Sequence, residues 1–198
     1  RPPYVLVGQS IGGIMIRDYQ RRRPEHVAGM VLVDPTHDEG LGYMIDGKPK
    51  PISLTTRQEL QEFMHALMAK PAAPRLNLEK VSRPFDRLPS DLQPVSLWAE
   101  QRYALDTDRN QTPYIGEGQR QQFTALRLQR LARPNPLGDL PLIVITNGVN
   151  KQKAQLQTLS TSGRLVVAEN SCHEVHVCSP DLVIDAIRWV VNVVRNPR

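Results

Sequence analysis

The stretch Tyr4-Val5-Leu6-Val7-Gly8-Gln9-Ser10-Ile11-Gly12-Gly13 decides the fold. Tyr4–Val7 is a short continuous apolar run closed by Gly8, which predicts a buried strand. From Ile11 to about Arg23, Ile14, Met15 and Tyr19 recur at helical spacing, which predicts a helix with one apolar face. Pro24 stops it. A second buried strand, Met30-Val31-Leu32-Val33, follows and closes at Asp34-Pro35. A strand, a helix and a strand of these lengths form a parallel crossover unit.

The same rhythm returns near the C-terminus. Leu142–Thr146 and Arg164–Ala168 read as buried strands, and Asn150 is placed to cap a helix reaching about Leu159. Ser179-Pro180 pairs an N-cap residue with Pro at the first helical position. The helix it opens runs to about Val194, with Leu182, Val183, Ala186, Ile187 and Val190 on its apolar side. Between the two strand regions, about Glu39 to Pro136, the chain is rich in Pro, Gln and Arg and offers no convincing strand. Thr56-Arg57-Gln58-Glu59 is a capping box opening a helix to about Ala69. Ser90 to about Leu105 and Glu117 to Leu131 also read as helices, punctuated by Pro71, Pro74, Pro84, Pro89, Pro113, Pro134 and Pro136. The expectation is an α/β fold with a mostly parallel sheet, divided into 1–38 (core), 39–136 (helical insertion) and 137–198 (core).

Composition narrows the classes. The 198 residues are 40% hydrophobic and 23% charged, which suits a globular chain and not a disordered one. No apolar run approaches the ~18 residues that span a bilayer. The formal charge is +5, but the basic residues are scattered, and the one cluster, Arg21-Arg22-Arg23, ends a predicted helix, where cations complement the dipole. Aromatics are only 5%, too few to interleave with the cations as stacking platforms, so nucleic acid is not expected as a partner. The two cysteines, Cys172 and Cys178, cannot build a disulfide framework. They could oxidise in a secreted protein, but the default is a pair of free thiols in a cytoplasmic one.

Gly8-Gln9-Ser10-Ile11-Gly12 matches G-x-S-x-G in the context that gives the pattern meaning, after a strand and before a helix. The chain must turn sharply there, lifting the Ser10 side chain above the sheet edge. Small residues on either side permit the turn and close packing. A phosphate-cradling loop is not supported, because neither a Gly-Lys-Ser/Thr ending nor G-x-G-x-x-G is present. His173-Glu174-Val175-His176 is not a zinc motif. It has one residue between Glu and the second His where H-E-x-x-H has two, and it follows a strand.

The segment PYVLVGQSIGGIMIRDYQRRRPEHVAGMVLVDPTHD, Pro3 to Asp38, resembles the nucleophile strand, nucleophile helix and following strand of the α/β-hydrolase family. Asn170-Ser171-Cys172-His173 resembles that family's histidine loop, with Cys172 where a Gly is usual, and Pro180-Asp181-Leu182-Val183 resembles the opening of its last helix. The resemblance spans essentially the whole chain but only the C-terminal part of the family's domain. It implies a helical cap inserted between core strands, with Ser10 as nucleophile and the backbone N–H of Ile11 as one oxyanion donor. The second donor normally lies on an earlier loop. Only nine residues precede Ser10, so the expectation is that the N-terminal strands, on the order of 100 residues, lie upstream of Arg1.

A serine nucleophile needs a general base, and the chain has five histidines. The base must come from a loop at the carboxyl ends of the strands, on the elbow's edge. His65 falls in an insertion helix, His26 precedes a strand, and His37 follows Asp34 closely. His173 meets the requirement and completes the order Ser…Asp…His, with His176 its near rival. The acid must follow a strand as well. Asn147-Gly148-Val149-Asn150 contains no carboxylate, although this is the family's commonest acid position. The loop after Met30–Val33 starts with Asp34, and the resemblance to family members that carry the acid there, one strand after the nucleophile, implies Asp34 as the acid, with Asp38 the substitute and Glu169 and Glu174 weaker.

The expected activity is hydrolysis of a carboxylic ester or lactone through an acyl-enzyme, with a small acyl compound as substrate and neither cofactor nor metal. Amide or peptide hydrolysis by the same triad is the next expectation. A non-catalytic ligand-binding module, or an inactive fragment, is the competing class. Met64, Leu67, Trp98 and Phe123 are candidates to line the pocket beneath the cap. The sequence does not specify the acyl group or an oligomeric state.

Overall fold

The structure is a computed structural model and describes residues 1–45, 47–68, 78–110 and 116–196. It divides into two compact units: Arg1–Thr55 with Gly118–Arg198, and Thr56–Glu117. The compositional middle of the chain is therefore shared between them.

The first unit is built on a four-stranded sheet in the order β1-β2-β5-β6, with β1 Tyr4–Gln9, β2 Val27–Val33, β5 Leu142–Thr146 and β6 Gly163–Val167. All three pairings are parallel. Successive side chains in β2 and β5 alternate between two cores. Val31, Val33, Ile143 and Ile145 pack with Val183, Ala186 and Val190 of the last helix, α7 (Pro180–Arg195). Met30, Leu32, Leu142 and Val144 pack on the opposite side with Leu137, Leu156 and Leu159. Parallel strands covered on both faces are apolar without alternation, which is why these runs were recognisable. Because every pairing is parallel, the carboxyl ends of β1, β2, β5 and β6 lie along one edge of the sheet.

Helix α1, Gly12–Arg22, forms where expected, but its packing differs from the apolar-face reading. Ile14 is buried, whereas Met15 and Tyr19 are exposed, and apart from Gly13 the other buried positions are polar: Arg17, Asp18 and Gln20. The reason lies in what covers the helix. Arg17 pairs with Asp38 after β2, and Asp18 accepts a hydrogen bond from Gln122 of helix α4 (Glu117–Ala132). Arg21 and Arg22 both pair with Asp18, so the basic cluster at the helix end is held by an acid one turn back.

A further difference lies in the stretch read as strandless. Gly42–Ile45 (β3) and Lys48–Pro51 (β4) form an antiparallel hairpin, with Gly47 at φ +74 in its turn. The strands are four residues each, and the second is Lys-Pro-Lys-Pro. Proline weakens a strand signal because it donates nothing to a ladder, yet a two-stranded ribbon tolerates it on its free edges.

The second unit contains helix α2, Arg57–Met68, and helix α3, Gln93–Asn110. The capping box forms as read: Thr56 Oγ1 accepts from the Glu59 N–H, and a Glu59 carboxylate oxygen accepts from the Thr56 N–H. The expected end of α2 at Ala69 and the prolines Pro71, Pro74 and Pro113 lie outside the described residues. Among the described residues, no helix is long and apolar enough to cross a membrane.

Near the C-terminus, the helix predicted after Asn150 is one α turn, α5 (Lys151–Ala154), continued as a 3-10 helix over Gln155–Leu159. Asn150 Oδ1 caps it by accepting from the Lys153 N–H at 3.0 Å. A one-turn helix, α6 (Val175–Cys178), precedes α7. Pro180 occupies the first turn of α7, but Ser179 caps it by position only. Its hydroxyl bonds to Ser171 Oγ.

Candidate active site

Ser10 sits between β1 and α1 at φ +53, in the left-handed region that costs an L-residue about 1–3 kcal/mol. Surrounding contacts impose it. The Ser10 N–H donates to the Val33 carbonyl, and its carbonyl accepts from the N–H groups of Gly13 and Thr36. Two glycines are needed for close approach. A Cβ on Gly8 would lie 2.6 Å from the Gly12 carbonyl oxygen, and one on Gly13 would lie 2.9 Å from Pro35 Cβ. Gly12, by contrast, has open space where a Cβ would stand. The N–H of Ile11 lies at the mouth of α1, among the first donors of a helix, which have no intrahelical acceptor.

Asp34, at the carboxyl end of β2, is also in the left-handed region, at φ +39. Its N–H donates to the Ile145 carbonyl and holds it against the end of β5. Its buried carboxylate meets donors on both oxygens. His173 Nδ1 lies 2.5 Å from Oδ2, while Lys153 Nζ at 2.6 Å and the Asn147 N–H at 3.2 Å approach Oδ1. Toward an ionised carboxylate Nδ1 of His173 donates, and in the neutral ring that tautomer leaves Nε2 with its lone pair. The Gln9 amide, next to Ser10, donates to the His173 carbonyl at 3.3 Å and ties the elbow to the histidine loop. The structure thus joins Asp34 with His173 directly. The Ser10 turn is tied to the His173 loop by the Gln9 side chain and to the residues flanking Asp34 by backbone bonds of Val33 and Thr36. The Ser10 hydroxyl has no hydrogen bond to His173 among the described residues.

The alternative residues lie elsewhere or in other company. Asp38 is fully buried and bridges Arg17 and Arg130, each at 3.0 Å. Burial alone would raise its carboxyl, but Arg17, the Arg130 hydrogen bond and neighbouring His37 outweigh it and hold it below the usual range. His37 is buried beside this cluster. Its Nδ1 accepts from the Glu39 N–H, and burial pushes its imidazole below the ordinary range despite the opposing pull of Asp38. His26 bonds to the Tyr19 hydroxyl, His65 lies on α2, and His176 is exposed on α6. Neither Glu169 nor Glu174 pairs with His173 among the described residues.

Sequence reasoning missed Lys153 and Gln9. The signal for Lys153 was present: a lysine in the first turn after a strand whose following loop lacks a carboxylate. The free-thiol expectation is corrected as well. Cys172 and Cys178 form a disulfide, with Cα atoms 5.9 Å apart. The expectation rested on cellular compartment, whereas the deciding fact is that the single turn of α6 folds the two residues to bridging distance. The bond closes a ring beginning at the residue before His173. Among the described residues, no group of three or more His, Cys, Asp or Glu is placed to hold a metal.

Of the candidate cap residues, Met64 lines a cleft within the second unit, Trp98 is exposed, and Phe123 is wholly buried in α4. The side chain of Leu67 lies outside the described residues.

No protein-family profile matches the chain, and no curated protein does. Solved structures do. A thermophilic esterase from Thermogutta terrifontis superposes with a TM-score of 0.55 at 15% identity, over 98% of this chain and 66% of that one. A candidate lipase from Acinetobacter baumannii AYE gives 0.54 at 16% identity, over 100% and 63%. A further thermophilic esterase gives 0.54 at 18% identity, over 97% and 67%. The chain has the α/β-hydrolase fold and spans about two thirds of the length of these structures.

Proposed function

We propose that this chain carries the catalytic residues of a serine hydrolase acting on a carboxylic ester or lactone. The observation that carries the reading is the pairing of buried Asp34 with His173 Nδ1 at the sheet edge from which the strained Ser10 turn rises. In this reading, His173 Nε2 removes the Ser10 hydroxyl proton as Oγ attacks the acyl carbonyl. Asp34 orients the imidazole and stabilises its charged form. The N–H of Ile11 donates to the developing oxyanion. The proton on His173 then passes to the leaving alcohol. Water, activated by the same imidazole, releases the acid and restores Ser10.

The helical insertion between the core strands serves in this reading as a cap that shapes the acyl pocket. The esterase and lipase names of structurally similar proteins favour ester over amide substrates. The test is covalent labelling with a fluorophosphonate, mapped by peptide mass, in parallel with turnover of a short activated ester. Stoichiometric modification of Ser10, abolished in Ser10→Ala together with turnover, is the expected result. A folded protein that labels elsewhere, or binds an ester without turning it over, would leave the ligand-binding reading in its place.

A further inference from the structure

We infer that Lys153 is a positioning residue for the Asp34–His173 pair, fixing the acid by its far oxygen and limiting the positive charge that His173 holds. Its catalytic consequence rests on the serine-hydrolase reading, but its effect on His173 does not.

Lys153 is held at both ends. Its N–H is bound by the Asn150 cap, and its Nζ lies 2.6 Å from Asp34 Oδ1. The side chain is 21% exposed, whereas the Asp34 carboxylate is fully buried. A buried carboxylate without a countercharge is costly. While His173 is neutral, Lys153 supplies that countercharge and the Asn147 N–H completes the oxygen's coordination, so the carboxylate stays aligned with Nδ1. Once the imidazole gains a proton, two cations share one anion, and the ammonium opposes the added charge. Lys153 therefore favours the neutral, proton-accepting form of His173.

The remaining charged groups on these elements are Lys151 on α5, Glu169, Glu174 and His176 around the histidine loop, and the cluster after β2. In that cluster Asp38 is closed on Arg17 and Arg130, Glu39 pairs with Arg127, and His37 stands beside Asp38. Among the described residues, none of them is ion-paired with Asp34 or His173.

The test compares Lys153→Met, Lys153→Gln and Lys153→Arg. Gln keeps a donor for Oδ1 and loses the charge, so it carries the test where Met fails to fold. The primary readout is the NMR titration of the His173 imidazole, assigned by its disappearance in His173→Gln. Met and Gln should move the His173 titration to higher pH than in the wild-type protein, and Arg should restore the wild-type curve. The acid limb of kcat/KM for a short activated ester should move with it. An unmoved titration in the neutral variants, or an Arg variant displaced as far as Gln, overturns the inference. Expected titration shifts in a protein whose Ser10 neither labels nor turns over ester would uphold Lys153 and defeat the serine-hydrolase reading alone.

Discussion

The Asp34 carboxylate lies 2.5 Å from Nδ1 of His173, a residue 139 positions further along the chain. The contact joins the end of β2 to the loop after β6, with β5 between them in the sheet. Asp38, four residues past Asp34, is turned instead into the Arg17 and Arg130 pairs. The two carboxylates should therefore separate cleanly. Asp34→Asn should fold and lose up to about 10⁴ in turnover, because the imidazole loses its orienting acceptor. Asp38→Asn should cost about 3 kcal/mol or more of stability by leaving Arg17 buried without its partner. Whatever Asp38→Asn remains folded should label at Ser10 at a near-normal rate. Urea denaturation and phosphonate labelling on both variants check this, and the reverse pattern would make Asp38 the acid.

The two outer glycines of the elbow pattern are predicted to differ. A Cβ on Gly8 meets the backbone of Gly12, at 2.6 Å from its oxygen and 2.7 Å from its carbon, and backbone there cannot yield cheaply. Gly8→Ala should lose about 1–3 kcal/mol and slow labelling of Ser10 by displacing the turn. Gly12→Ala meets no atom within 4 Å and lies in the first turn of α1. It should be neutral or stabilising by up to about 1 kcal/mol, because alanine is the better helix former. Urea midpoints of the pair decide it, and equal losses would show that the pattern's glycines serve one common purpose.

The apolar runs made the sheet legible, and in β2 and β5, buried on both faces, a run such as Met30–Val33 has few other uses. The Tyr4–Val7 run is a strand but not the buried one expected: β1 lies at the end of the strand order and leaves Tyr4 and Val7 exposed. The elbow was legible for a related reason, since strand, turn and helix follow one another without a gap. What could not be read was set by contacts distant in sequence. Burial of Arg17 and Asp18, with Met15 and Tyr19 left exposed, depends on α4 and on the segment after β2, more than 100 residues apart for the Gln122–Asp18 bond. The choice of Asp34 rested on its place after a strand and on the family resemblance, while its second partner, Lys153, comes from the short helix α5 after another strand. The β3–β4 hairpin was missed because its strands are four residues each and the second is Lys-Pro-Lys-Pro, where proline weakens the strand pattern.

Stability should depend on pH through His37. Burial, helped by Arg130 and Arg17 and opposed by Asp38 and Glu39, lowers its folded value below the ordinary 6.5. Below pH 6.5 the unfolded chain therefore binds a proton that the folded chain refuses. Stability falls with acidification at up to about 1.4 kcal/mol per pH unit until the folded value is passed. Asp38 extends the loss at lower pH. Its depressed folded value gives stability that is fully present above the unfolded 3.8 range and disappears as pH falls through the folded value. Urea midpoints between pH 7.5 and 4 measure the His37 part, and continuing the series below pH 3.8 measures the Asp38 part. His37→Asn, which keeps an acceptor for the Glu39 N–H, should flatten the upper part of the curve only; an unchanged slope between about pH 6.5 and 5 would assign it to other groups.

The Cys172–Cys178 disulfide should stabilise both the fold and the placement of His173. It closes a short ring with a sequence separation of 6, and the loop-closure relation gives about 2 kcal/mol for a ring of that size. For a chain of this length, that corresponds to a fall of about 4–8 °C in Tm on reduction or in a Cys172→Ser/Cys178→Ser double variant. The functional effect should exceed the global one, because Cys172 is the residue before His173 and α6 is a single turn with little structure of its own. Without the bond, the loop is held by the Ser171–Ser179 hydrogen bond, the Gln9 contact and the Asp34–His173 pair. Labelling of Ser10 should then slow at temperatures well below the lowered Tm. Scanning calorimetry and labelling rates, with and without reductant, separate the two effects. Reductant should act on the wild-type protein and leave the double variant unchanged; equal labelling rates in both forms at 25 °C would show that the histidine loop is held by its hydrogen bonds alone.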